Sequence, residues 1–451
     1  MSFLIEHRAI ITTIIAVALL LGLVLRLRMH AFPALLVVSL FAALAGGMAP
    51  ETALQTVTQG MGGTLGFIAI VIGLGAMFGV FLEAGGGVQA LSEWIIDKTG
   101  LSKGPWTMGI IGLIVAIPVF FDVALIILAP IVFSLAKKAR RAPLVFGLPL
   151  LAGLATAHAF VPPTPGPIAV AELLGADLGW VILFGLIAGA AAMIIAGPLY
   201  TQFAEKRGWL EAEREPPLQT AETVTAEDGA QMAKIALAVI ALPLLLILIG
   251  TISKAVMADG QALQVITFLG HPITALLLAC GLGYLAFKPQ SPEGQAVYRK
   301  ALSKALEPTG AVILITGAGG AFKQVLIETG AGKALAEASV SAGLTPIVAG
   351  FVLALLVRVA QGSATVAMIT AAGLTAPIVT LAALSAPQTA LVVIAIAAGA
   401  SACSHVNDSG FWLVNRYFGQ SEAQTLKTWT VCATLVGFVG FAIAFVLSLI
   451  V

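Results

Sequence analysis

Few residues in this chain have side chains capable of chemistry, and those few stand inside apolar surroundings. Asp122 lies in Pro118-Val-Phe-Phe-Asp122-Val, just after a proline that interrupts any helix. A charge at membrane depth costs about 2.5–3.5 kcal/mol by insertion scales, so each one kept there is a candidate working part. Burial disfavours the ionised form of an acid, which makes Asp122 a candidate proton carrier; its alternative role is to cap a helix that restarts after the break. His158 opens His158-Ala-Phe-Val-Pro162-Pro163-Thr164-Pro165-Gly166-Pro167. Four prolines in six residues cannot be helical. Non-helical backbone at membrane depth must line a cavity or be buried in protein. Helix ends exposed there offer N–H groups to an anion and C=O groups to a cation. Thr164 adds a hydroxyl, and His158 can donate to a carboxylate or titrate.

Three further motifs have the same character. Ser401-Ala-Cys-Ser404-His405-Val-Asn407-Asp408-Ser409-Gly410 is dense polarity between apolar runs. Ser404, Asn407 and Ser409 can hydrogen-bond polyols, and Asp408 can take a proton or accept from a hydroxyl. Arg358-Val-Ala-Gln361-Gly362-Ser363-Ala-Thr365 places one cation in an apolar run. It is either the counter-charge of a substrate carboxylate or a structural partner of Asp122, Asp408 or Glu328. Glu83-Ala-Gly85-Gly86-Gly87 and Glu328-Thr329-Gly330-Ala-Gly332 read as hairpin tips whose glycines let backbone amides approach a ligand. The two glutamates are either ligands or sit at the wet end of a hairpin.

The elements that position these residues follow from composition. Of 451 residues, 59% are hydrophobic and 10% charged, with a net charge of +1. Too few charges are present to cover a soluble surface, and neutrality excludes an electrostatic nucleic-acid binder. A span needs about 20 apolar residues. Runs of that kind cover 9–25, 31–49, 106–134, 144–171, 177–200, 233–253, 262–287, 344–372, 388–405 and 426–450, while 63–98 and 308–338 are Gly-rich and read as hairpins. Ten charges lie between Glu205 and Asp228, which reads as a cytoplasmic linker (203–232) between halves 1–202 and 233–451. Gly73-Leu-Gly75-Ala-Met-Phe78 is matched by Gly317-Ala-Gly319-Gly-Ala-Phe322, and His158 by His405, at an offset of about 245 residues. Positive clusters at Arg26–Arg28, Lys137–Arg141, Lys206–Arg207 and Lys288–Lys304 mark one membrane face. Each half then has five crossings, and an odd number inverts the second half. The expectation is an all-α polytopic membrane protein of two inverted-topology repeats. Each repeat has about five transmembrane helices, one re-entrant hairpin and broken helices (144–171 and 388–412), with the site at the repeat interface.

Other chemistries find no motif. The three cysteines have neither disulfide nor metal spacing. Gly73-x-Gly75 and Gly317-x-Gly319 lack the third glycine of a dinucleotide loop, and no hydrolase or metalloprotease signature is present, so no enzyme, cofactor or metal centre is expected.

The stretches HAFVPPTPGP, GAGGAFKQVLIETG, QGSATVAM, SHVNDSGFW and GTLGFIAIVIGLGAMFG together resemble the gluconate permease family of proton symporters, within the wider ion-transporter superfamily. They spread over residues 63–430. The resemblance implies inner-membrane uptake of a sugar acid or small hydroxy acid with protons, driven by the proton gradient without a cofactor, by a dimer working through alternating access. It places the site at Glu83 to Gly87, His158 to Gly166, Glu328 to Gly330 and Ser404 to Ser409. Two departures fall at candidate substrate or proton positions: Asp122 stands where gluconate-type members often carry Glu, and Thr164 where they often carry a second His. The family also includes carriers for acids and amino acids such as glycerate and D-serine, and sodium is the rival coupling ion.

Overall fold

The computed structural model describes residues 29–211, 226–289, 291–330 and 344–451, with short stretches between 11 and 27. Part of the expected span 9–25, the centre of the linker and the second arm of the expected 308–338 hairpin lie outside them. Among the described residues the chain is helical, and seven helices are long and apolar enough to cross a bilayer, or eight if one bent pair counts as a single span. That pair breaks at Gly270–His271, where the chain turns by 57° within the expected span 262–287.

In the first half, α1 (Ala31–Gly46) leads to α2 (Pro50–Ala84), and Gly85–Gly86 turns the chain into the short α3 (Gly87–Thr99). Then come α4 (Gly104–Val115), α5 (Phe121–Ala139), α6 (Leu144–Phe160), α7 (Pro165–Leu174) and α8 (Leu178–Ile194). The second half begins with α9 (Ala226–Val256), α10 (Gln261–Leu269), α11 (Pro272–Phe287), α12 (Pro292–Lys304) and α13 (Glu307–Glu328). It ends with α14 (Pro346–Gln361), α15 (Ala364–Ala382), α16 (Ala386–Ser401), α17 (Ser409–Tyr417) and α18 (Val431–Ser448). A π turn follows α8 at Ile195–Leu199, and another precedes α18 at Leu426–Thr430. The two meet where the Tyr200 hydroxyl donates to the Lys427 carbonyl.

Residues 63–84 and 308–328 are helical throughout; the turn of the first segment comes at Gly85–Gly86, where its tip was expected, and α13 ends at Glu328, at the other expected tip. The 35 residues of α2 reach about 52 Å, more than the roughly 30 Å of a hydrocarbon core. Gly60 lies against Gly320 and Ala321 while Gly317 lies against Met61 and Leu65, so α2 and α13 run antiparallel with backbones in contact. One expectation about spans is corrected: 106–134 and 344–372 are not single spans. Gly104 packs on Phe146 and Gly112 on Leu150 and Leu154, so α4 and α6 run parallel and α5 must bring the chain back. In the second half Gly350 packs on Val392 and Ile396, and Gly399 on Phe351 and Ala354. Helices α14 and α16 are therefore parallel, and α15 is the return arm. The chain thus reverses at 116–120 and again at Gly362–Ser363.

The core lies around α6 and α16, in which nearly every residue is buried. Both are apolar on all sides, as a helix enclosed by other helices must be. Each ends inside the protein: α6 at Phe160 before the prolines, and α16 at Ser401 before the polar motif.

Candidate functional site

The interrupted elements meet around a cavity of about 390 Å³. The first turn of α5 brings Asp122, and the last turn of α6 brings His158. The α14–α15 tip brings Arg358, Gln361, Ser363 and Thr365; the break between α16 and α17 brings Asn407, Asp408 and Ser409; Trp429 closes one wall. Helices α5, α15 and α17 all begin at this space. Their N-termini carry partial positive charge and unsatisfied N–H groups, which suits an anion.

The strongest contact ties two breaks together. Arg358 is 4% exposed and Asp408 9%. An Arg358 Nη2 donates to Asp408 Oδ2 at 2.5 Å, and Nη1 donates to the Gly362 carbonyl. Asp408 is also the N-cap of α17, with Oδ1 accepting from Gly410 N at 3.1 Å, and Oδ2 takes a further bond from Ser404 Oγ. Ser404 Oγ in turn accepts from Trp429 Nε1 at 2.7 Å. Asn407 Nδ2 donates to the Val359 carbonyl at 2.9 Å, and His405 Nε2 lies at the same distance from that oxygen. The guanidinium is thus fixed in place by groups on both sides. Buried charge requires such pairing, because an isolated one loses its hydration without return.

The opposite wall is less committed. Asp122 is exposed to the cavity, and among the described residues nothing donates to it. It lies within electrostatic reach of Asp408. His158 Nδ1, Arg358 Nε and Gln361 Oε1 are buried without a partner among the described residues, so the lining holds unused hydrogen-bonding capacity. Ser363 caps α15 by accepting from Val366 N at 3.4 Å. With Thr365 and Ser409 it places hydroxyls on the cavity.

Of the residues singled out from sequence, Asp122, His158, Arg358, Ser363, Thr365, Asn407, Asp408 and Ser409 come together here. Ser404 and His405 stand directly behind them through the bonds just given. The others do not line this cavity. Thr164 caps α7, and its hydroxyl donates to the Val161 carbonyl at 2.8 Å. Gly166 packs against Met368, a wall residue, and gives it room. Glu83 ends α2, and Gly85 lies against Phe287, with Gly86 completing the turn at φ +77°. Glu328 is exposed and accepts from Gln324 Nε2 at 3.0 Å; Thr329 bonds its own helix and packs on Gly46, followed by Gly330 at φ +70°. These six close α2 and α13, whose ends lie away from the cavity because the helices run on unbroken. Sequence reasoning missed Trp429 altogether. The polar run Lys427-Thr-Trp-Thr430 at the start of an apolar span was its signal.

Gly362 holds the geometry of the tip. Its φ is +86°, and a Cβ would stand 2.2 Å from the Asn407 carbonyl oxygen. An L-residue there pays about 1–2 kcal/mol for the left-handed backbone alone, before the clash separates tip from break. Gly362→Ala is expected to reach the membrane at near-normal abundance and to lose about tenfold or more in substrate affinity. Unaltered binding to the purified variant would show that tip and break need not touch.

A sequence profile described as "GntP family permease" matches residues 8–450. The low-affinity gluconate transporter of Escherichia coli is 41% identical over 434 residues, covering 96% of both chains. The gluconate permease of Pseudomonas aeruginosa is 35% identical and covers 96% of this chain and 95% of its own; that of Bacillus subtilis is 35% identical and covers 98% and 100%. Among solved structures, the Alcanivorax borkumensis YdaH transporter superposes with TM-score 0.60 at 15% identity, covering 88% of each chain. Neisseria gonorrhoeae MtrF, from a class described as antimetabolite efflux pumps, gives 0.63 at 12%, covering 92% and 93%. At such identities these two speak to the fold alone.

Proposed function

The chain belongs to the GntP permease family, and from that premise we propose that it imports gluconate or a closely related small sugar acid together with protons, by alternating access. It is a multi-pass inner-membrane transporter rather than an enzyme.

The observation that carries the reading is one fixed guanidinium facing three helix N-termini across a space lined with hydroxyls and amides. The volume falls within the roughly 300–1,000 Å³ of small-molecule sites. A carboxylate meets Arg358 and the helix ends, and the hydroxyls of a polyol meet Ser363, Thr365, Asn407 and Ser409. Charge supplies the coupling. Arg358 is offset by Asp408, which leaves the Asp122 carboxylate as the excess charge of the site. A bound anion would add a second negative charge in a poorly solvated space, where like charges repel strongly. Protonating Asp122 removes that repulsion, so substrate and proton favour each other's binding. The named activities of the relatives agree with the substrate class. The antiparallel α2–α13 pair and the reversals in corresponding positions support an inverted repeat. In this reading the outer helices α1 and α9–α11 form a dimeric scaffold.

The test is uptake of labelled gluconate into proteoliposomes with an inward proton gradient and no sodium. Accumulation that collapses on adding a protonophore is expected. Accumulation that requires a sodium gradient would assign the coupling to the metal ion. Competition by glycerate or D-serine but not gluconate would overturn the substrate.

A further inference from the structure

The transport reading leaves Trp429 without a role, yet it contacts both the α5 side and the Ser404 side of the cavity. Its indole is 4% exposed and lines the space. The ring lies 5.5 Å from that of Phe121, the residue before Asp122 on α5. Its Nε1 donates to Ser404 Oγ at 2.7 Å. Because that oxygen accepts from the indole, the Ser404 hydrogen is directed to Asp408 Oδ2, the oxygen that also holds Arg358. Trp429, through Ser404, and Arg358 therefore donate from opposite sides into the one carboxylate oxygen of Asp408, and Arg358 continues the chain of contacts to the Gly362 carbonyl at the tip. The base of this chain is itself held: Thr430 Oγ1 donates to the Ser404 carbonyl at 2.5 Å, and Cys403 N donates to Thr434 Oγ1 at 3.2 Å.

We propose that Trp429 is a positioning residue, which orients the Arg358 guanidinium through Ser404 and Asp408 and holds the Asp122 end of α5 against the same anchor. This deepens the sugar-acid reading and rests on it. An indole N–H has one donor and no acceptor, so it can only push the serine hydrogen one way. Phenylalanine keeps the ring against Phe121 but releases the hydroxyl, which is then free to turn from Asp408.

Trp429→Phe, Ser404→Ala and the double variant are compared with wild type by gluconate titration in a thermal-shift assay and by uptake kinetics. Each single variant is expected to raise KM about tenfold, with Vmax within about a factor of two. The double variant is expected to be no worse than either single one, because both interrupt one chain. Losses that multiply to about a hundredfold, or a fall in Vmax at unchanged KM, would overturn the proposal. Should Trp429→Phe not accumulate in the membrane, Ser404→Ala tests the chain from its other link, and an unchanged KM there also overturns it. A wild-type protein that gluconate does not stabilise would instead refute the substrate, whatever the variants do.

Discussion

Replacing Arg358 with alanine is expected to abolish uptake and to lower stability in the same stroke. The side chain makes two bonds that no neighbour can replace, one to Asp408 and one to the Gly362 carbonyl. Its removal leaves Asp408, 9% exposed, with only Ser404 and Gly410 N as donors among the described residues. Removing one partner of a buried pair typically costs about 3–5 kcal/mol, since the other charge stays behind. Arg358→Ala should therefore be scarce in membranes, and the surviving fraction should not bind gluconate. Arg358→Ala with Asp408→Ala removes both charges, so abundance should recover while binding does not. That split separates the two roles of the arginine. Arg358→Lys retains the charge but not the planar fork, so it can serve the carboxylate or the carbonyl but not both, and should show intermediate affinity. Abundance is read by fluorescence-detected gel filtration and binding by titration of the purified proteins. A single alanine variant that still accumulates gluconate would take Arg358 out of the site.

Asp122→Asn is expected to separate movement of substrate from its accumulation. The side chain keeps its shape and hydrogen-bonding reach, so the fold should be unaffected. It can no longer alternate between charged and neutral forms. A gradient of one pH unit stores about 1.4 kcal/mol per proton, enough for about tenfold accumulation. The variant should exchange gluconate down its gradient yet fall to equilibration when only protons drive uptake. Wild-type uptake should rise as the outside is acidified, because protonation of the carboxylate favours anion binding; the variant's uptake should stay flat. Proton-driven accumulation by a well-expressed Asp122→Asn would assign the proton to another group, with His158 next in line.

The motifs at the cavity were legible because charge and polarity are so rare elsewhere. Asp122, Arg358 and Asp408 stand out against apolar flanks, and prolines 162–167 announce a break without any structure. Glycine carries two meanings in the sequence. At Gly85–Gly86 it is the turn that a Gly-rich run suggests. At Gly60 and Gly320 it lets the backbones of α2 and α13 touch, and each helix runs straight through it. The reversal at Gly362–Ser363 was hidden. It takes two residues between long apolar helices, and nothing in composition separates such a tip from a continuous span. Trp429 was hidden because a tryptophan near a span end ordinarily reads as a membrane-interface anchor. Only the fold brings it beside Ser404.

The π turns carry a consequence for how this chain tolerates insertion and deletion. A residue of α-helix advances the side chains by about 100°, so losing one residue normally spins everything beyond it out of phase. A π turn is one residue longer than the α turn it replaces. Removing a residue within 426–430 would therefore restore a regular helix and leave α18 seated, while it rotates Trp429 relative to Ser404. The same deletion within 195–199 would leave Tyr200, which lies beyond the turn, against Lys427 and leave the cavity's own lining intact. Single-residue deletions, usually the most disruptive of edits to a membrane helix, are here expected to be tolerated at two places, and at one of them to turn a single wall residue.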